Sequence, residues 1–187
     1  FDIATIKKLQ PDLIIGNKEE NYARGINALC QHFPVWMSHI FTLNDAYKMM
    51  EEVANITGKT ETGIKLVNEL QQGLAGFIPF TGAKVAYFIW RNPYMVAAGN
   101  TFINHMLNKF GVSNVFDNLQ RYPEINPEES AKLQPEYIFL SSEPYSFSER
   151  HIEEFKSFSP ASKIILVDGE IFSWYGSRLK YAPDYFN

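Results

Sequence analysis

The sequence predicts an α/β protein of two lobes joined by a helical linker, and two observations carry this prediction. The segment KLQPDLI at residues 8–14 recurs as KLQPEYI at residues 132–138. Between the two copies, residues 43–77 carry apolar side chains at helical spacing, whereas short apolar runs typical of buried strands lie on either side. A repeated unit on each side of a helical segment indicates two α/β lobes and a linker.

Composition limits the classes of protein that the chain can belong to. Its 187 residues are 45% hydrophobic and 20% charged, as in an ordinary globular protein. The net charge of −4 and the scattered Lys and Arg residues argue against a nucleic-acid partner. Cys30 is the single cysteine, so no internal disulfide can form. The chain begins with Phe1 and opens directly on a predicted helix, so we expect it to have been cut by signal processing or to be a fragment.

The first lobe shows alternating helices and strands. Asp2 or Thr5 can cap a short helix. Pro11 favours an end to this helix and an extended chain beyond it. The predicted elements are a helix through Leu9, a strand at 12–16, a helix at about 21–31 and a strand at 35–38.

Two helices are predicted for the linker, because Gly58-Lys59 interrupts the apolar pattern of residues 43–77. The second helix, at 60–76, would span about 25 Å at 1.5 Å per residue, enough to bridge two lobes. The predicted division is an amino-terminal lobe at 1–42, a helical linker at 43–78 and a carboxyl-terminal lobe at 79–187.

In the second lobe the alternation of predicted strands and helices resumes after a turn at 79–82. Strands are predicted at 84–90, 137–140 and 164–167, with helices near 101–110, 127–133 and 148–157. The two repeated strands end at small or polar residues, Gly16-Asn17 and Ser141-Ser142. Ligands of open α/β sheets bind just past the carboxyl ends of strands, so the repeat predicts two facing half-sites and a cleft.

Aromatic residues follow two strands of the second lobe, namely Phe88, Trp90 and Tyr94 in one group and Phe172, Trp174 and Tyr175 in the other. Such rings either belong to the core or provide a rigid surface for a flat ligand. Phe88 alternates with Ile89 inside a strand, which favours a core position. Trp90 lies at the strand end, and Trp174 lies among polar residues in a predicted loop, so these two are the better candidates for ligand contact.

Polar candidates lie close to the aromatic groups in the sequence. Arg91 and Arg178 could hold an anionic chelate through charge-assisted hydrogen bonds, or could form surface salt bridges. Asn17 could contact a ligand or close a turn. The segment Gly99-Asn100-Thr101 supplies a turn and a helix cap whose backbone N–H groups could meet an anionic edge.

Enzymatic motifs are missing from the sequence. It contains no GxGxxG, Walker, GxSxG or HExxH segment, and its four histidines are dispersed. Cys30, His32 and His39 do not fit the spacing of a structural zinc site. We therefore expect no catalytic residues and no metal site. The alternative is a Rossmann-like enzyme or enzyme subunit acting on a nucleotide or a tetrapyrrole.

Six segments together resemble the class III periplasmic substrate-binding proteins of ABC importers. They are KLQPDLII, the long helical linker, AKVAYFIW, AGNTFINHMLNKFGVSNVF, KLQPEYIFL and VDGEIFSWYGSRL. The resemblance implies two Rossmann-like lobes on a helical backbone, with the opening strands of the amino-terminal lobe missing here. It also implies that a metal chelate, either cobalamin, a ferric siderophore or haem, is bound between the lobes without any intrinsic cofactor.

The same resemblance implies a partner and a location. Such receptors deliver their ligand to ABC permease subunits in the inner membrane and are periplasmic or anchored outside that membrane. One acidic residue on each lobe docks into the permease. Glu149 matches this position in the second lobe, whereas Ala23 occupies it in the first. Glu20, or Glu19 beside it, is the candidate substitute in the first lobe.

Overall fold

The structure is a computed structural model that describes residues 2–76 and 82–186. The chain divides into two compact units, Phe1–Ile40 and Phe41–Asn187, called here the amino-terminal and carboxyl-terminal units. The helices of the predicted linker belong to the carboxyl-terminal unit. The boundary predicted between residues 78 and 79 lies outside the described residues, as does the turn predicted at 79–82 apart from Gly82. The division into three parts stays a prediction.

The amino-terminal unit has the four predicted elements: α1 (Ile3–Leu9), β1 (Ile14–Asn17), α2 (Ala23–Cys30) and β2 (Val35–Ser38). The strands are parallel, with Ile14 opposite Val35. Of the two residues predicted as a cap, Asp2 takes the role, since its carboxylate accepts the backbone N–H groups of Ala4 and Thr5 at 2.9 and 3.2 Å.

The linker helices are α3 (Leu43–Ile56) and α4 (Thr60–Ala75), and the predicted break between them is confirmed. Thr42 and Asp45 form a capping box at the start of α3. Gly58 lies in the break with φ of +68°, a conformation that favours glycine. The two helices pack closely, because a Cβ atom built on Gly63 would lie 2.4 Å from the Cβ of Ala54.

A mixed sheet forms the centre of the carboxyl-terminal unit. Its strands are β3 (Lys84–Trp90), β4 (Met95–Val96), β5 (Ser113–Asn114), β6 (Tyr137–Ser141) and β7 (Lys163–Val167). The order is β4-β3-β6-β7, with β5 also paired to β3, and every pairing except β3 with β4 is parallel. The three predicted strands are confirmed. The two-residue strands β4 and β5 were not predicted because two residues carry no periodicity.

Helices pack around this sheet. They are α5 (Phe102–Lys109), α6 (Pro127–Lys132), α7 (Ile152–Phe158), α8 (Gly169–Ser173) and α9 (Ala182–Phe186), with 3-10 turns at Glu149–His151 and Ser177–Tyr181. The helix predicted at 148–157 is therefore a 3-10 turn followed by α7. The prediction of a loop around Trp174-Arg178 is correct only for residues 174–176, because a 3-10 turn starts at Ser177.

The two copies of the repeat have the same local structure. Gln10 and Gln134 adopt φ of +49° and +52°, which ends α1 and the turn after α6 just before a proline. Strands β1 and β6 follow. Each copy of the repeat is thus a helix, a glutamine in the left-handed conformation and a strand. The sequence predicts the helix and the strand but not the conformation of the glutamine.

The core of the carboxyl-terminal unit surrounds β3 and β6. Phe88, Ile138, Leu140 and Phe155 are completely buried there. The expected core position of Phe88 is confirmed. The central strands therefore bury their side chains, while Trp90 at the end of β3 remains 38% exposed.

Candidate ligand-binding site

The candidate site lies where β3, β6 and β7 end. Because these strands are parallel, their carboxyl ends meet at one edge of the sheet. We call this the carboxyl edge and define it as residues 90–94, 142–148 and 168–178. It contains both predicted arginines of the carboxyl-terminal unit and, apart from Phe88, the predicted aromatic residues.

Two tryptophans of the carboxyl edge are exposed. Trp90 is 38% exposed and Trp174, directly after α8, is 50% exposed. The ring of Tyr145 packs edge-to-face against Trp90, with 5.8 Å between the centroids. Tyr145 was not predicted from the sequence, although its place in the segment after the repeated strand is the signal that could have identified it.

Of the other predicted aromatic residues, Phe172 is buried whereas Tyr94 and Tyr175 are half-buried, and ligand contact by these two tyrosines stays a prediction. Phe172 is 1% exposed and belongs to the core. Tyr175 is half-buried, with its ring 5.5 Å from that of Phe102. The ring of Tyr94 packs edge-to-face against Phe88 and Phe155. The aromatic surface of the edge is therefore formed mainly by Trp90, Tyr145 and Trp174.

Arg91 forms an ion pair with Glu154 of α7. Its Nε atom lies 2.9 Å from both carboxylate oxygens, and the hydroxyl of Tyr94 donates to the same carboxylate. The hydrogen bond to Glu154 raises the pKa of Arg91. Partial burial acts to raise the pKa of Glu154, but the hydrogen bonds from Tyr94 and Arg91 outweigh it and hold that pKa below its usual value. Glu154 was not predicted, because it lies 63 residues from Arg91 in the chain.

Arg178 is paired with two carboxylates. Its Nη2 atom donates to Asp168 Oδ2 at 2.8 Å, and its Nε atom lies 2.8 Å from Glu170 Oε2. The second contact is an ion pair without hydrogen-bond alignment. The guanidinium also lies 5.7 Å from the ring centre of Tyr181. Both predicted arginines thus have anionic partners within their own unit, and contact with a ligand stays a prediction for each.

Hydrogen bonds tie the segment after β6 to α8. Ser142 Oγ accepts the backbone N–H of Gly169 at 3.0 Å, and Ser173 Oγ donates to Glu143 Oε1 at 2.6 Å. A Cβ atom on Gly169 would lie 2.3 Å from Ser141 Oγ, so glycine is needed for this close approach. These contacts fix the backbone after β6 and the backbone of α8 in position relative to each other.

His151 connects Tyr145, which packs against Trp90, with the segment that carries the predicted docking residue Glu149. It is 4% exposed; its Nδ1 atom accepts the backbone N–H of Ser148 at 2.9 Å, and its Nε2 atom lies 3.3 Å from the hydroxyl of Tyr145. Glu149, the predicted docking residue, is exposed at the start of the 3-10 turn that His151 closes. Sequence reasoning named His151 only as one of several dispersed histidines.

In the amino-terminal unit, Asn17 closes a turn. Its Oδ1 atom accepts the backbone N–H of Glu20 at 2.7 Å, and its carbonyl oxygen accepts from Asn21 Nδ2 at 2.9 Å. This is one of the two roles expected from the sequence, and a ligand contact by Asn17 stays a prediction. Glu20 is exposed in the same turn, and Ala23 is exposed at the first position of α2. Both docking assignments, Glu149 and Glu20, also stay predictions.

The Gly99-Asn100-Thr101 segment begins a buried polar network. Thr101 Oγ1 caps α5 by accepting the backbone N–H of Asn104 at 3.1 Å, as predicted. Asn104 donates to Asp117 at 2.5 Å and accepts from Asn114 at 2.9 Å. These contacts give the segment a structural role in holding α5 against the strands.

Two further features concern metals and membranes. Among residues 2–76 and 82–186, no group of three or more His, Cys, Asp and Glu side chains is placed to hold a metal ion. None of the helices in these ranges combines the length and the apolar character that crossing a bilayer requires.

Residues 2–162 match the model of the periplasmic binding protein family, so the chain belongs to this family. The resemblance noted from the motifs is thereby confirmed. No curated protein sequence matches the chain.

Solved structures with the same fold include the periplasmic vitamin B12 binding protein BtuF of Vibrio cholerae, with a TM-score of 0.74 and 19% identity over 98% of this chain and 75% of that one. The periplasmic heme binding protein HutB of Vibrio cholerae has a TM-score of 0.76 and 18% identity over 100% and 79%. A protein of an ABC-type Fe3+-hydroxamate transport system from Saccharomonospora viridis has a TM-score of 0.75 and 15% identity over 98% and 71%. At such identities the likeness concerns the fold, and it confirms the predicted α/β class.

Proposed function

We propose that the protein is the substrate-binding component of an ABC importer. It captures a metal chelate, either cobalamin, a ferric siderophore or haem, in a cleft between two lobes and delivers it to permease subunits in the inner membrane. The observation that carries this proposal is the pair of exposed tryptophans at the carboxyl edge of a chain from the periplasmic binding protein family. Exposed Trp rings provide large rigid contact area for bulky ligands.

Membership of the family supports a location outside the inner membrane, either periplasmic or anchored to it. The structural neighbours support the choice of ligands, since two of them bind vitamin B12 and haem and a third serves Fe3+-hydroxamate transport. The enzyme alternative has less support. The two arginines of the carboxyl edge form ion pairs with neighbouring carboxylates, Arg91 with Glu154 and Arg178 with Asp168, as structural charges commonly do.

Quenching of tryptophan fluorescence tests the proposal, because each of the three tryptophans can be isolated. Trp90 and Trp174 lie at the carboxyl edge, and Trp36 lies in β2 of the amino-terminal unit. Variants that keep one tryptophan and carry Phe at the other two positions are titrated with cobalamin, haem and ferric siderophores. Saturable quenching of Trp90 or Trp174 is expected, and the absence of quenching by every chelate would contradict the proposed function.

Removal of the tryptophans gives the corresponding energetic prediction. Trp90→Ala and Trp174→Ala should each weaken chelate binding by about 1–3 kcal/mol, the scale for losing an aromatic contact at a binding surface. Isothermal calorimetry measures this change, with Leu133→Ala as the control because Leu133 is an exposed apolar residue that precedes β6, away from the carboxyl ends of the strands. Unchanged affinity in both Trp variants would show that the edge is not the ligand surface.

A further inference from the structure

The charge of the carboxyl edge is the starting point. Its described residues contribute two guanidinium groups, those of Arg91 and Arg178, and three carboxylates, those of Glu143, Asp168 and Glu170. Glu154 of α7 adds a fourth carboxylate through its ion pair with Arg91. The edge and its partner therefore carry more negative than positive charge.

Both arginines of the carboxyl edge already pair with carboxylates of their own unit. Arg91 gives its Nε hydrogen bond to Glu154, whose carboxylate also accepts from Tyr94. Arg178 has carboxylates 2.8 Å away at two of its nitrogens. An anionic ligand would have to share a guanidinium with these carboxylates or displace them, and a partly buried carboxylate left without its partner is costly.

The uncharged part of the edge is aromatic. Trp90 and Trp174 are exposed, and Tyr145 packs against Trp90. Ring faces carry partial negative charge, so they accept neutral apolar surfaces and cations but not anions. Of the carboxylates counted above, Glu143 accepts from the uncharged hydroxyl of Ser173, the residue before Trp174.

We infer, on the basis of the proposed function, that the ligand is a bulky chelate without net negative charge. The chemistry in question is a neutral or cationic complex with an extended organic shell, as in ferric trihydroxamates and corrinoids. Ferric tricatecholates, with three negative charges, and haem, with two propionates, would be the disfavoured classes.

A panel of chelates that differ in charge tests this inference. The probes are a neutral ferric trihydroxamate, a ferric trihydroxamate bearing one free ammonium group, cobalamin, a ferric tricatecholate and haem, each titrated at several salt concentrations. The best neutral or cationic chelate should bind at least about tenfold more tightly than either anionic one, a difference of about 1.4 kcal/mol. Salt should weaken binding of the cationic probe by screening.

The outcomes separate this inference from the proposed function. Tightest binding of the tricatecholate or of haem would overturn the inference and leave the proposed function intact. Absence of binding by every chelate would overturn both. Among the favoured classes, the titrations with the trihydroxamates and with cobalamin show which kind of chelate is the ligand.

Charge-neutralising variants test the physical reason. Glu154→Gln and Glu170→Gln each remove the carboxylate that pairs with a guanidinium. Each should therefore raise the affinity for anionic chelates relative to neutral ones by about tenfold. The matched control is Glu153→Gln, because Glu153 neighbours Glu154 on α7 but pairs with Lys156 in solvent. An unchanged ratio in both variants, with folding verified by circular dichroism, would overturn the role of the paired arginines.

Discussion

Asn114 is a buried polar residue whose hydrogen bonds all stay within the carboxyl-terminal unit. Its Nδ2 atom donates to Ala97 O and to Asn104 Oδ1, both at 2.9 Å, and its Oδ1 atom accepts the backbone N–H of Phe116 at 3.1 Å. Removing such a side chain leaves buried groups without partners, which costs free energy.

We therefore predict that Asn114→Ala lowers the free energy of unfolding by about 2–3 kcal/mol, since several buried groups lose a hydrogen bond. Asn108→Ala is the control, because Asn108 is exposed on α5, and its effect should stay within about 0.5 kcal/mol. Urea denaturation measures both. Equal effects of the two substitutions would show that the network adds no stability.

Glu154 and Tyr94 give the protein a predicted pH dependence of stability. The folded-state pKa of Glu154 is lowered, so its stabilising contribution is complete above the ordinary pKa of a glutamate and is lost as the pH falls through the lower value. Burial and the hydrogen bond to Glu154 raise the pKa of Tyr94 to about 12. Its contribution is therefore complete below the ordinary value of 10.0 and is lost as the pH rises through about 12.

The measurement is the free energy of unfolding of the wild type and of Glu154→Gln between about pH 3 and pH 7. The wild type should be more stable by about 1 kcal/mol near neutral pH, the scale of a charged hydrogen bond with partial exposure, and the difference should shrink as the solution becomes acidic. Tyr94→Phe, compared with the wild type between about pH 9 and pH 12, should remove the alkaline component. A pH-independent difference for Glu154→Gln would contradict the assignment.

At the scale of elements, the contact between α3 and α4 depends on Gly63. A Cβ atom there would lie 2.4 Å from the Cβ of Ala54, closer than two carbon atoms can approach. The helices must separate if alanine replaces this glycine, even though alanine is the better helix former.

We predict that Gly63→Ala destabilises the protein by about 1–3 kcal/mol through overpacking. Adding Ala54→Gly removes the opposing methyl group and should recover part of this loss, which a double-mutant cycle measures. Gly76→Ala is the control, because no atom of the described residues lies within 4 Å of a Cβ at that position. A stabilising effect of Gly63→Ala would show that the helices pack less closely.

The repeat shows how a sequence pattern becomes an element. Apolar runs after Pro11 and Pro135 predict β1 and β6, because a proline disfavours helical conformation in the preceding residue. The left-handed conformation of Gln10 and Gln134 could not be predicted, since glutamine rarely adopts it. Short elements such as β5 and α8 depend on neighbours that are distant in the sequence.

At the scale of the whole molecule, Glu149 is the residue through which we propose that the carboxyl-terminal lobe meets a permease. It is exposed at the start of a 3-10 turn, where a carboxylate is also favoured by the partial charges of the helix end. Glu149→Lys should leave chelate affinity and folding nearly unchanged, with a stability effect of about 0.5 kcal/mol or less. Association with the permease should slow strongly and should no longer weaken as the ionic strength rises, because attraction is replaced by repulsion that salt screens.

Receptor–permease association rates at several salt concentrations measure this effect. Glu129→Lys is a matched control, since Glu129 is an exposed acid in the first turn of α6. Glu20→Lys should act only if Glu20 replaces the acid expected at Ala23. An unaltered rate and salt slope for Glu149→Lys would mean that the docking role does not belong to this residue.

The sequence by itself determined the α/β class, the principal strands and helices, and the family, because these follow from periodicity, capping residues and motifs that are local in the chain. It also separated Phe88 from Trp90, since Phe88 lies inside a strand whose interior is buried throughout and Trp90 lies at the exposed end. The tertiary structure alone decided how the charges of the carboxyl edge are paired. Arg91 meets Glu154 across 63 residues and Ser173 meets Glu143 across 30, and contacts at such separations leave no local pattern to read.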